Sequence, residues 1–384
     1  MRIAFYSDTY LPAIDGVVTS MLNAKKGLEA RGHEVFIFAA CKPGEKKKYS
    51  DRHTFLFTGF KFRPYPQYSV AAFPYHSMIH LKSLKVDIIH VQTPFVMGFN
   101  GMLAAKLGRY PLVGSFHTLY NSKSLSVYYP RFLRNLSQKG VWRYIKFFFR
   151  RCNTTVAPTG VIANQLRKAR IPNVVTVPNS VDLSVFNPKV SGDAVRKQLN
   201  VKSREKLVLY LGRVSKEKRI EVFIKAAHVI VKKRSDVKFL IGGTGPMLKH
   251  YEDYAKRLGM SYSMHFMGFV DPKVLPNVYA ACDVLCIPST FETQGVVSLE
   301  AMACGKPVVG ANAVALKELI KNRFNGEKFK ADSYSDCAKK IEKVLNDCQS
   351  YRKGALKTAQ DFSIEKVTDK LIEVYKSTIA NDGT

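Results

Sequence analysis

Two glutamates, Glu292 and Glu300, lie eight positions apart in the sequence, with Gly295 between them. The apolar run Asp283–Ser289 precedes them, so Glu292 follows a predicted buried strand and Glu300 falls within the next predicted helix. Two carboxylates placed in this way can act as an acid and a base, or they can accept hydrogen bonds from the hydroxyl groups of a ligand. A single glutamate on a helix is more often a solvated surface residue, but the whole block 291–310 favours a functional site.

A pair of basic residues follows another predicted strand. Arg213 and Lys218 come just after Leu207–Leu211, with Gly212 at the junction. A glycine permits close backbone approach, and a planar guanidinium beside a compact ammonium suits the oxygens of a diphosphate. Isolated basic residues are usually surface charges, so this pair is informative only because it stands at a strand end.

A glycine-rich turn ends the next predicted strand, with the sequence Ile241-Gly-Gly-Thr-Gly-Pro246. Glycines at such a junction allow a tight turn and the close approach of a ligand or of another strand. Met247 and Leu248 follow the proline, so the turn does not match a dinucleotide-binding G-x-G-x-x-G. A structural turn and a ligand-binding turn both remain open.

The elements that position these residues alternate between strands and helices, which indicates α/β architecture with parallel sheets. A chain of 384 residues suits two domains, and two doubly wound domains fit the strand pattern better than one large sheet. In such sheets, ligands bind at the carboxyl ends of the strands. The predicted strands are Ile3–Ser7, Glu34–Ala39, Asp87–Val91, Pro111–Phe116, Thr154–Val156 and Val174–Val177 in the first series, and Leu207–Leu211, Lys238–Gly242, His265–Phe269, Val284–Pro288 and Pro307–Val309 in the second.

The block that contains Glu292 and Glu300 resembles the E-x7-E signature of retaining GT-B glycosyltransferases, which use nucleotide-sugar donors. The resemblance implies that Glu292 contacts the donor sugar and that Glu300 holds the ribose hydroxyls of the nucleotide. Residues 211–218 resemble the G-R-x-x-x-x-K element of this family, whose Arg and Lys neutralise the leaving nucleoside diphosphate. Residues 241–246 resemble the family's G-x-G-P turn, which flanks the donor pocket.

The resemblance also implies a fold and an assignment of domains. The GT-B architecture has two doubly wound Rossmann-like parallel-sheet domains that face a cleft, and its C-terminal helix crosses back to the first domain. On that plan an acceptor- and membrane-facing domain covers residues 1–172 and 363–384. A nucleotide-sugar-binding domain covers residues 173–362.

Two features of the first domain match the family as well. Gly16 lies in the loop between the first strand and the first helix, which in relatives lies against the phosphates of the donor. His117 follows a predicted strand and matches a histidine beside the reacting sugar, although a lone histidine is more often structural. The implied catalytic residues are Glu292, His117, Arg213 and Lys218, and the implied donor-binding residues are Gly16, Arg213, Lys218, Gly243, Gly245, Glu292, Gly295 and Glu300.

The sequence departs from the family pattern at two places. Ser180 stands where the usual P-N-G-V-D has its glycine, so the backbone there must avoid positive φ or tolerate strain. The stretch Ala313-Val-Ala-Leu-Lys-Glu318-Leu lacks the glycines of the family's G-G-L-x-E-L. In the family these glycines let the backbone approach the ligand closely, so the base or ribose contacts of this loop are expected to differ here.

The charge of the chain is strongly positive and uneven. The net charge is +30, and between Asp87 and Asp182 there are thirteen Lys and Arg but no acidic residue. Such a one-sign field attracts an anionic surface, which could be nucleic acid, anionic lipid or the phosphates of the substrate.

A basic amphipathic helix is predicted within Arg134–Cys152. Its basic stripe consists of Lys139, Arg143, Lys146 and Arg150, its opposite face of Val141, Ile145, Phe148 and Cys152, and its flank of Trp142 and Phe149. We predict that the basic stripe, Trp142 and Phe149 bind an anionic membrane surface. The aromatic residues Tyr128, Tyr129 and Phe132 and the segment Lys61–Tyr75 favour the same surface. A core helix with a solvated basic back is the alternative.

Nucleic acid is the weaker candidate partner, because the sequence contains no signature of an RNA- or DNA-binding module. The segments Glu292–Gly295 and His117–Tyr120 look most like those of glycosyltransferases that act on diacylglycerol or related membrane lipids. This likeness implies transfer of a hexose, glucose being favoured, from a UDP-sugar to a lipid hydroxyl with retention of configuration. One alternative is a GDP-mannose-dependent mannosyltransferase that acts on a phosphoinositide-type lipid or another glycan acceptor. Another is a basic, non-catalytic binder of sugar nucleotides or nucleic acid.

No Asp-x-Asp occurs in the sequence, whereas a metal-dependent GT-A enzyme needs such carboxylates for its divalent ion. Arg213, Lys218 and a helix dipole can supply the positive charge instead. We therefore expect no metal site, no metal requirement and no cofactor, since the nucleotide sugar is a substrate.

The N-terminal residues Met1–Asp8 lead directly into a strand, which predicts no signal peptide. The longest weakly charged stretch, between Asp87 and Lys106, is interrupted by polar residues and a proline, so it is a poor transmembrane candidate. We expect a cytoplasmic protein associated peripherally with the inner face of the cell membrane.

Overall fold

The computed structural model describes residues 1–13, 15–61, 69–71, 77–119 and 134–382. They form two compact units, Met1–Ser180 with Ile364–Thr384, and Val181–Ser363. Several residues of the predicted membrane surface lie outside the described part, namely Tyr128, Tyr129, Phe132 and most of the segment 61–75. Tyr120, from the segment that resembles lipid glycosyltransferases, also lies outside it.

The first unit is built on one eight-stranded sheet. Its strands are β1 (Arg2–Ser7), β2 (Glu34–Cys41), β3 (Thr54–Lys61), β4 (Ser69–Ala71), β5 (Ile88–Val91), β6 (Leu112–Ser115), β7 (Thr154–Ala157) and β8 (Val174–Thr176). Its helices are α1 (Gly16–Ala30), α2 (Lys46–Tyr49), α3 (Ser77–Ser83), α4 (Val96–Gly108), α5 (Arg134–Phe149), α6 (Gly160–Lys168) and, from the end of the chain, α15 (Ile364–Asp382).

The strand order of this sheet is β4-β3-β2-β1-β5-β6-β7-β8. The strands pair in parallel except at one edge, where β4 runs antiparallel to β3. The short connection between β3 and β4 explains this, because a parallel pair needs a long crossover. Strands β1, β5, β6 and β7 are buried along most of their length, as expected for a sheet covered on both faces.

The boundary between the units differs from the one predicted from the sequence. β8 pairs with β7, so residues 174–176 belong to the first sheet. The boundary predicted after residue 172 therefore moves to Ser180, and the return to the first unit begins at Ile364. Family-based expectation had placed this strand in the second domain.

Helix α15 packs within the first unit, which confirms the predicted return of the last helix. A Cβ atom on Gly27 of α1 would lie 1.9 Å from the hydroxyl of Thr368, so the two helices are in close contact. The Tyr375 hydroxyl lies 2.7 Å from His90 Nδ1, and the hydroxyls of Thr378 and Thr154 are 2.8 Å apart.

The second unit contains a six-stranded sheet in which every pair is parallel. Its strands are β9 (Lys206–Leu211), β10 (Val237–Gly242), β11 (Met264–Gly268), β12 (Val284–Ile287), β13 (Val308–Ala311) and β14 (Gly326–Phe329). Its helices are α7 (Asp193–Gln198), α8 (Ile220–Val231), α9 (Leu248–Arg257), α10 (Leu275–Ala281), α11 (Val296–Ala303), α12 (Leu316–Leu319), α13 (Tyr334–Asn346) and α14 (Cys348–Asp361).

The order of the second sheet is β11-β10-β9-β12-β13-β14, the doubly wound order of a Rossmann domain. It reverses direction between β9 and β12, and the loops that follow these two strands therefore diverge from a common point. In open α/β sheets such a switch point is where ligands bind. The first sheet has the same reversal between β1 and β5.

Candidate active site

The loops that follow β9 and β12 carry the predicted charged residues of the second unit. Arg213 and Lys218 follow β9, and Glu292 follows β12. The Lys218 ammonium donates a hydrogen bond of 2.7 Å to Glu292 Oε1, so one ion pair bridges the switch point. Both side chains are mostly buried. Two of the predicted site residues thus lie in direct contact, and their roles stay predictions.

Arg213 is held by a second buried carboxylate that the sequence prediction missed. Its guanidinium donates to Glu217 Oε1 at 2.6 Å, and the Ser215 hydroxyl donates to the same oxygen at 2.6 Å. The Tyr210 hydroxyl donates to the Arg213 carbonyl at 2.9 Å. The backbone and the side chain of Arg213 are thus both fixed, which orients its guanidinium.

The glycine-rich turn serves backbone packing. A Cβ on Gly243 would lie 1.9 Å from the Gly212 carbonyl oxygen, and a Cβ on Gly245 would lie 2.2 Å from that of Val214. The Val214 amide donates to the Thr244 carbonyl at 2.8 Å. The turn therefore holds the Arg213 loop in place. Both glycines have a structural reason, and their donor-binding role stays a prediction.

The environment of Glu292 keeps it ionised. Burial would raise its pKa, but the Lys218 ammonium and hydrogen bonds from Lys218 and Ser289 lower the pKa below its ordinary value. A carboxylate with a lowered pKa is a poor general acid and a good hydrogen-bond acceptor. Of the two kinds of chemistry open for the glutamate pair, this favours ligand binding.

Glu300 lies in a different environment, inside α11. Gly295 begins this helix with φ = 84°, a conformation that favours glycine. Glu300 Oε2 accepts a hydrogen bond of 2.6 Å from the Tyr279 hydroxyl. Burial raises the pKa of Glu300 to about 7, although the hydrogen bond from Tyr279 lowers it in part. The solvated surface alternative is excluded, because only 6% of the residue is exposed.

The two departures from the family pattern have different structural outcomes. Ser180 does not take a positive φ, so its backbone avoids the strain considered above. Val314, in contrast, has φ = 40°, which is an outlier for a β-branched residue. The neighbouring Ala315 amide points to the Glu292 carbonyl at 3.4 Å, so this strained loop lies against the candidate site.

In the first unit, His117 and Gln92 stand at the carboxyl ends of the adjacent strands β6 and β5. His117 Nε2 lies 3.0 Å from Gln92 Oε1. Burial lowers the pKa of His117 to about 4. The imidazole is therefore neutral at pH 7, with one ring nitrogen that donates a hydrogen bond and one that accepts.

A second histidine lies behind His117. His90 is buried between Tyr375 and Ser115, whose hydroxyls are 2.7 and 2.8 Å from its two ring nitrogens. Burial, and then repulsion from His117 at the low pH where that residue is protonated, lower the pKa of His90 to about 3. A small cavity of about 30 Å³ adjoins both histidines, which is room for about one water molecule.

Gly16 is the first residue of α1, and its position leaves open space around it. A Cβ added there meets nothing within 4 Å. The Asp15 carboxylate caps the helix and accepts hydrogen bonds of 2.9 Å from the amides of Val17 and Val18. Two donors at this helix terminus are thus already satisfied within the protein.

The residues predicted to bind the membrane from helix α5 differ in their exposure, and their role stays a prediction. Lys139 and Arg143 are exposed, and Trp142 and Lys146 are half-buried. Arg150 is exposed, but its guanidinium donates to the carbonyls of Ala169 and Arg170 at the end of α6.

Phe149 is a correction to the prediction. It is 1% exposed and its ring packs on Phe116 at 5.4 Å, so it cannot contact a membrane. Ile145, Phe148, Phe149 and Cys152 follow the i, i+3, i+4, i+7 spacing and all are buried. Phe149 therefore belongs to the core face of α5 and not to its flank.

Among the described residues, no helix is both long enough and apolar enough to cross a membrane.

The sequence prediction missed Glu217, Gln92 and Tyr279. Gln92 directly follows β5, so its position at a strand end was a usable signal. Glu217 stands between the two predicted phosphate-binding residues, but the sequence does not show that its side chain turns inward. Tyr279 contacts Glu300 from another helix, which no local pattern predicts.

Comparisons with known proteins agree with this geometry. A model described as Glycosyltransferase Family 4 matches residues 14–185, and one described as Glycosyl transferases group 1 matches residues 192–361. An alpha-monoglucosyldiacylglycerol synthase of Streptococcus pneumoniae is 28% identical over 336 residues, which cover 85% of this chain and 74% of that protein. A GDP-mannose-dependent alpha-mannosyltransferase of Corynebacterium glutamicum is 26% identical over 391 residues, which cover 99% and 90%.

The fold also matches solved structures. The complex of Anabaena Alr3699/HepE with UDP-glucose has a TM-score of 0.76 and 21% identity, covering 98% of this chain and 100% of that one. At this identity the likeness shows the shared fold, which is GT-B.

Proposed function

The chain belongs to the glycosyltransferases of group 1 and family 4, and from that premise we propose that it transfers a hexose, glucose being favoured, from a UDP-sugar to a hydroxyl of a membrane glycerolipid such as diacylglycerol. The observation that carries the proposal is the Lys218–Glu292 ion pair of 2.7 Å across the switch point of the second sheet. It combines a cation for the diphosphate with an ionised acceptor for sugar hydroxyls.

In this proposal Arg213 and Lys218 bind the diphosphate as it leaves, because negative charge grows there during the reaction. Glu292 orients the hydroxyls of the sugar, and Glu300 holds those of the ribose. Both cations are already paired with carboxylates, so the site has little net charge before the donor binds. The donor diphosphate then adds the charge that the two cations complement.

We propose that the reaction retains the configuration of the sugar. The bond between the anomeric carbon and the donor phosphate breaks, and a bond to the lipid oxygen forms on the same face. The proton of the lipid hydroxyl passes to the leaving phosphate oxygen. Glu292 is paired with a lysine and has a lowered pKa, which does not suit the paired acid and base of a glycosidase.

We also propose roles for two residues of the first unit. His117, neutral and bound to Gln92, would line the sugar site as a hydrogen-bonding group. Gly16, with open space beside it, would let the donor phosphates approach the start of α1.

We also propose that no divalent metal is needed, because Arg213 and Lys218 supply the positive charge. Turnover in EDTA should equal turnover without it, and loss of activity on chelation would contradict this part of the proposal.

The lipid acceptor is supported by the name of the Streptococcus relative and by the basic first unit. The name of the Corynebacterium relative favours a second candidate, a GDP-mannose-dependent mannosyltransferase. We propose a phosphoinositide-type lipid or another glycan as the acceptor of that candidate. Both candidates place the enzyme at the cytoplasmic face of the membrane, with Lys139 and Arg143 of α5 towards anionic lipid.

The experiment that separates the candidates is incubation with radiolabelled UDP- and GDP-sugars and a total lipid extract, with Lys218→Met as the inactive control. We expect UDP-glucose to label a lipid that extracts into organic solvent. Label from GDP-mannose alone favours the mannosyltransferase. Label in a soluble sugar or protein, with none in lipid, contradicts the lipid acceptor, and no transfer from any donor supports a non-catalytic binder.

A further inference from the structure

Helix α4 of the first unit presents an apolar stripe to solvent. Phe95 at its start and Phe99, Leu103 and Leu107 within it are 45%, 43%, 39% and 63% exposed. They are spaced four residues apart, and four residues of an α-helix turn through 400°, so successive members are offset by about 40°. The stripe therefore covers one continuous side of the helix.

The stripe is unusual because no charge interrupts it. From Phe95 to Ala105 every exposed position is a phenylalanine or a leucine, and the first charged residue is Lys106 in the last turn. The opposite face is made mostly of small residues and methionines that pack on the sheet. Helices on the surface of a soluble protein normally carry polar residues on the outer face, and one that is apolar all round is usually covered.

Basic residues border the stripe. The Tyr144 hydroxyl of α5 donates to the Pro94 carbonyl at 2.6 Å, which brings α5 against the start of α4. On α5 the exposed Arg143 directly precedes Tyr144 and the exposed Phe147 lies one turn after it, and Lys106 and Arg109 are exposed at the other end of the stripe. The chain has no acidic residue from 88 to 181, a range that includes both helices.

This combination points to one occupant. A second copy of the chain would bring the same basic border against itself, and like charges across an interface repel. An anionic bilayer offers negative headgroups to the border and an apolar layer to the stripe, as amphipathic interfacial helices require.

We propose that α4 is the element by which this protein docks on an anionic membrane, with Phe99 and Leu103 entering the boundary between headgroups and acyl chains. The inference rests on the proposed function in one respect, since it names the surface on which the lipid acceptor would lie. It also changes the part assigned to α5. That helix supplies charge beside the stripe, while its Phe149 stays in the core.

The test is sedimentation of the full chain with vesicles of phosphatidylcholine and phosphatidylglycerol, and with phosphatidylcholine alone. The variant is Phe99→Ser with Leu103→Ser. Its matched control is Tyr262→Ser with Phe269→Ser, which removes two apolar residues that are 88% and 65% exposed in the second unit. We expect wild type and control to bind the anionic vesicles equally. The partition coefficient of the α4 variant on the same vesicles should be lower by roughly ten-fold or more.

A second measurement does not depend on loss of binding. The chain has one tryptophan, so Phe99→Trp in a Trp142→Phe background places a single fluorescent probe on the stripe. Brominated lipids in anionic vesicles should quench the fluorescence of this probe. They should leave the probe of Tyr262→Trp, made in the same background, unchanged.

The proposal is overturned if the wild type does not bind anionic vesicles, if the α4 variant binds as well as the control, or if the probe at position 99 is not quenched. It is also overturned if the stripe proves to be a self-association surface, so that the α4 variant turns a dimer into a monomer while vesicle binding stays the same. None of these readouts uses a sugar donor. Failure of sugar transfer to lipid therefore leaves the docking result intact, and failure of docking leaves the transfer assay intact.

Discussion

The two glutamates that stand out in the sequence have opposite electrostatic environments. Burial is the largest single influence on the pKa of Glu292, but the Lys218 charge and the hydrogen bonds from Lys218 and Ser289 together outweigh it and lower the pKa. At Glu300 burial dominates and raises the pKa to about 7. The spacing of the two glutamates in the sequence does not predict this difference between their pKa values. It arises because a lysine from another loop reaches one carboxylate and a tyrosine hydroxyl reaches the other.

The raised pKa of Glu300 predicts a dependence of stability on pH. Between pH 4.5 and about 7 the unfolded chain releases this proton and the folded chain keeps it, so the free energy of unfolding falls as pH rises through that window. The loss is up to ~3 kcal/mol. Glu300→Gln has no carboxyl group that titrates in this window. The melting temperature of the variant minus that of wild type should therefore be larger at pH 8 than at pH 5. An equal difference at both pH values, measured by thermal denaturation, would contradict the assignment.

At the scale of elements, the loops at the switch point owe their shape to backbone contacts. The Gly243 and Gly245 turn lies so close to residues 212–214 that no side chain fits between them. The α1 terminus at Gly16 differs, because space remains there. Glycines with the same predicted role therefore have different structural requirements.

A pair of alanine variants tests this difference. Gly243→Ala places a Cβ at φ = 125° and against the Gly212 carbonyl, so we expect a loss of about 3 kcal/mol or more in stability. Gly16→Ala should keep the wild-type melting temperature. If donor phosphates pass beside Gly16, the same variant raises the KM for the donor, and an unchanged KM removes Gly16 from the proposed site.

Much of the α/β order followed from the sequence, because buried parallel strands are continuous apolar runs. The sequence did not predict β3, β4 or β14. β3 alternates between buried and half-buried residues at its start, and β14 is a short segment containing Glu327 and Lys328. Glu327 is buried there by ion pairs with Lys340 and Lys343 of α13. The ion pairs of Glu327 and the packing of Phe149 on Phe116 both join residues that are distant in the sequence, so local patterns do not predict them.

At the scale of the whole molecule, the first unit is made from both ends of the chain. Tyr375 of α15 is fully buried and bonds to His90, and the Arg31 guanidinium pairs with Asp369. The first unit therefore depends on residues that follow the entire second unit. Any fragment that ends at residue 180 lacks part of its core.

The Tyr375 hydroxyl offers a test of this dependence. Tyr375→Phe leaves one nitrogen of the buried His90 without its partner, which should lower the free energy of unfolding by about 1–3 kcal/mol. Ser377→Ala, which alters an exposed hydroxyl on the same helix, should be nearly neutral. Urea denaturation of both variants checks this, and equal midpoints would mean that the bond adds nothing to the unit.

The claim at the centre of the account is that Glu292 binds the donor sugar and does not maintain the fold or hold the nucleotide. The direct measurement compares Glu292→Gln with Glu373→Gln, a change at an exposed position of α15, by calorimetric titration of UDP and GDP and by transfer of labelled sugar to lipid. We predict that Glu292→Gln keeps nucleotide affinity within about three-fold but loses transfer by ~100-fold or more, while Glu373→Gln retains both. Full transfer activity in Glu292→Gln would contradict the account.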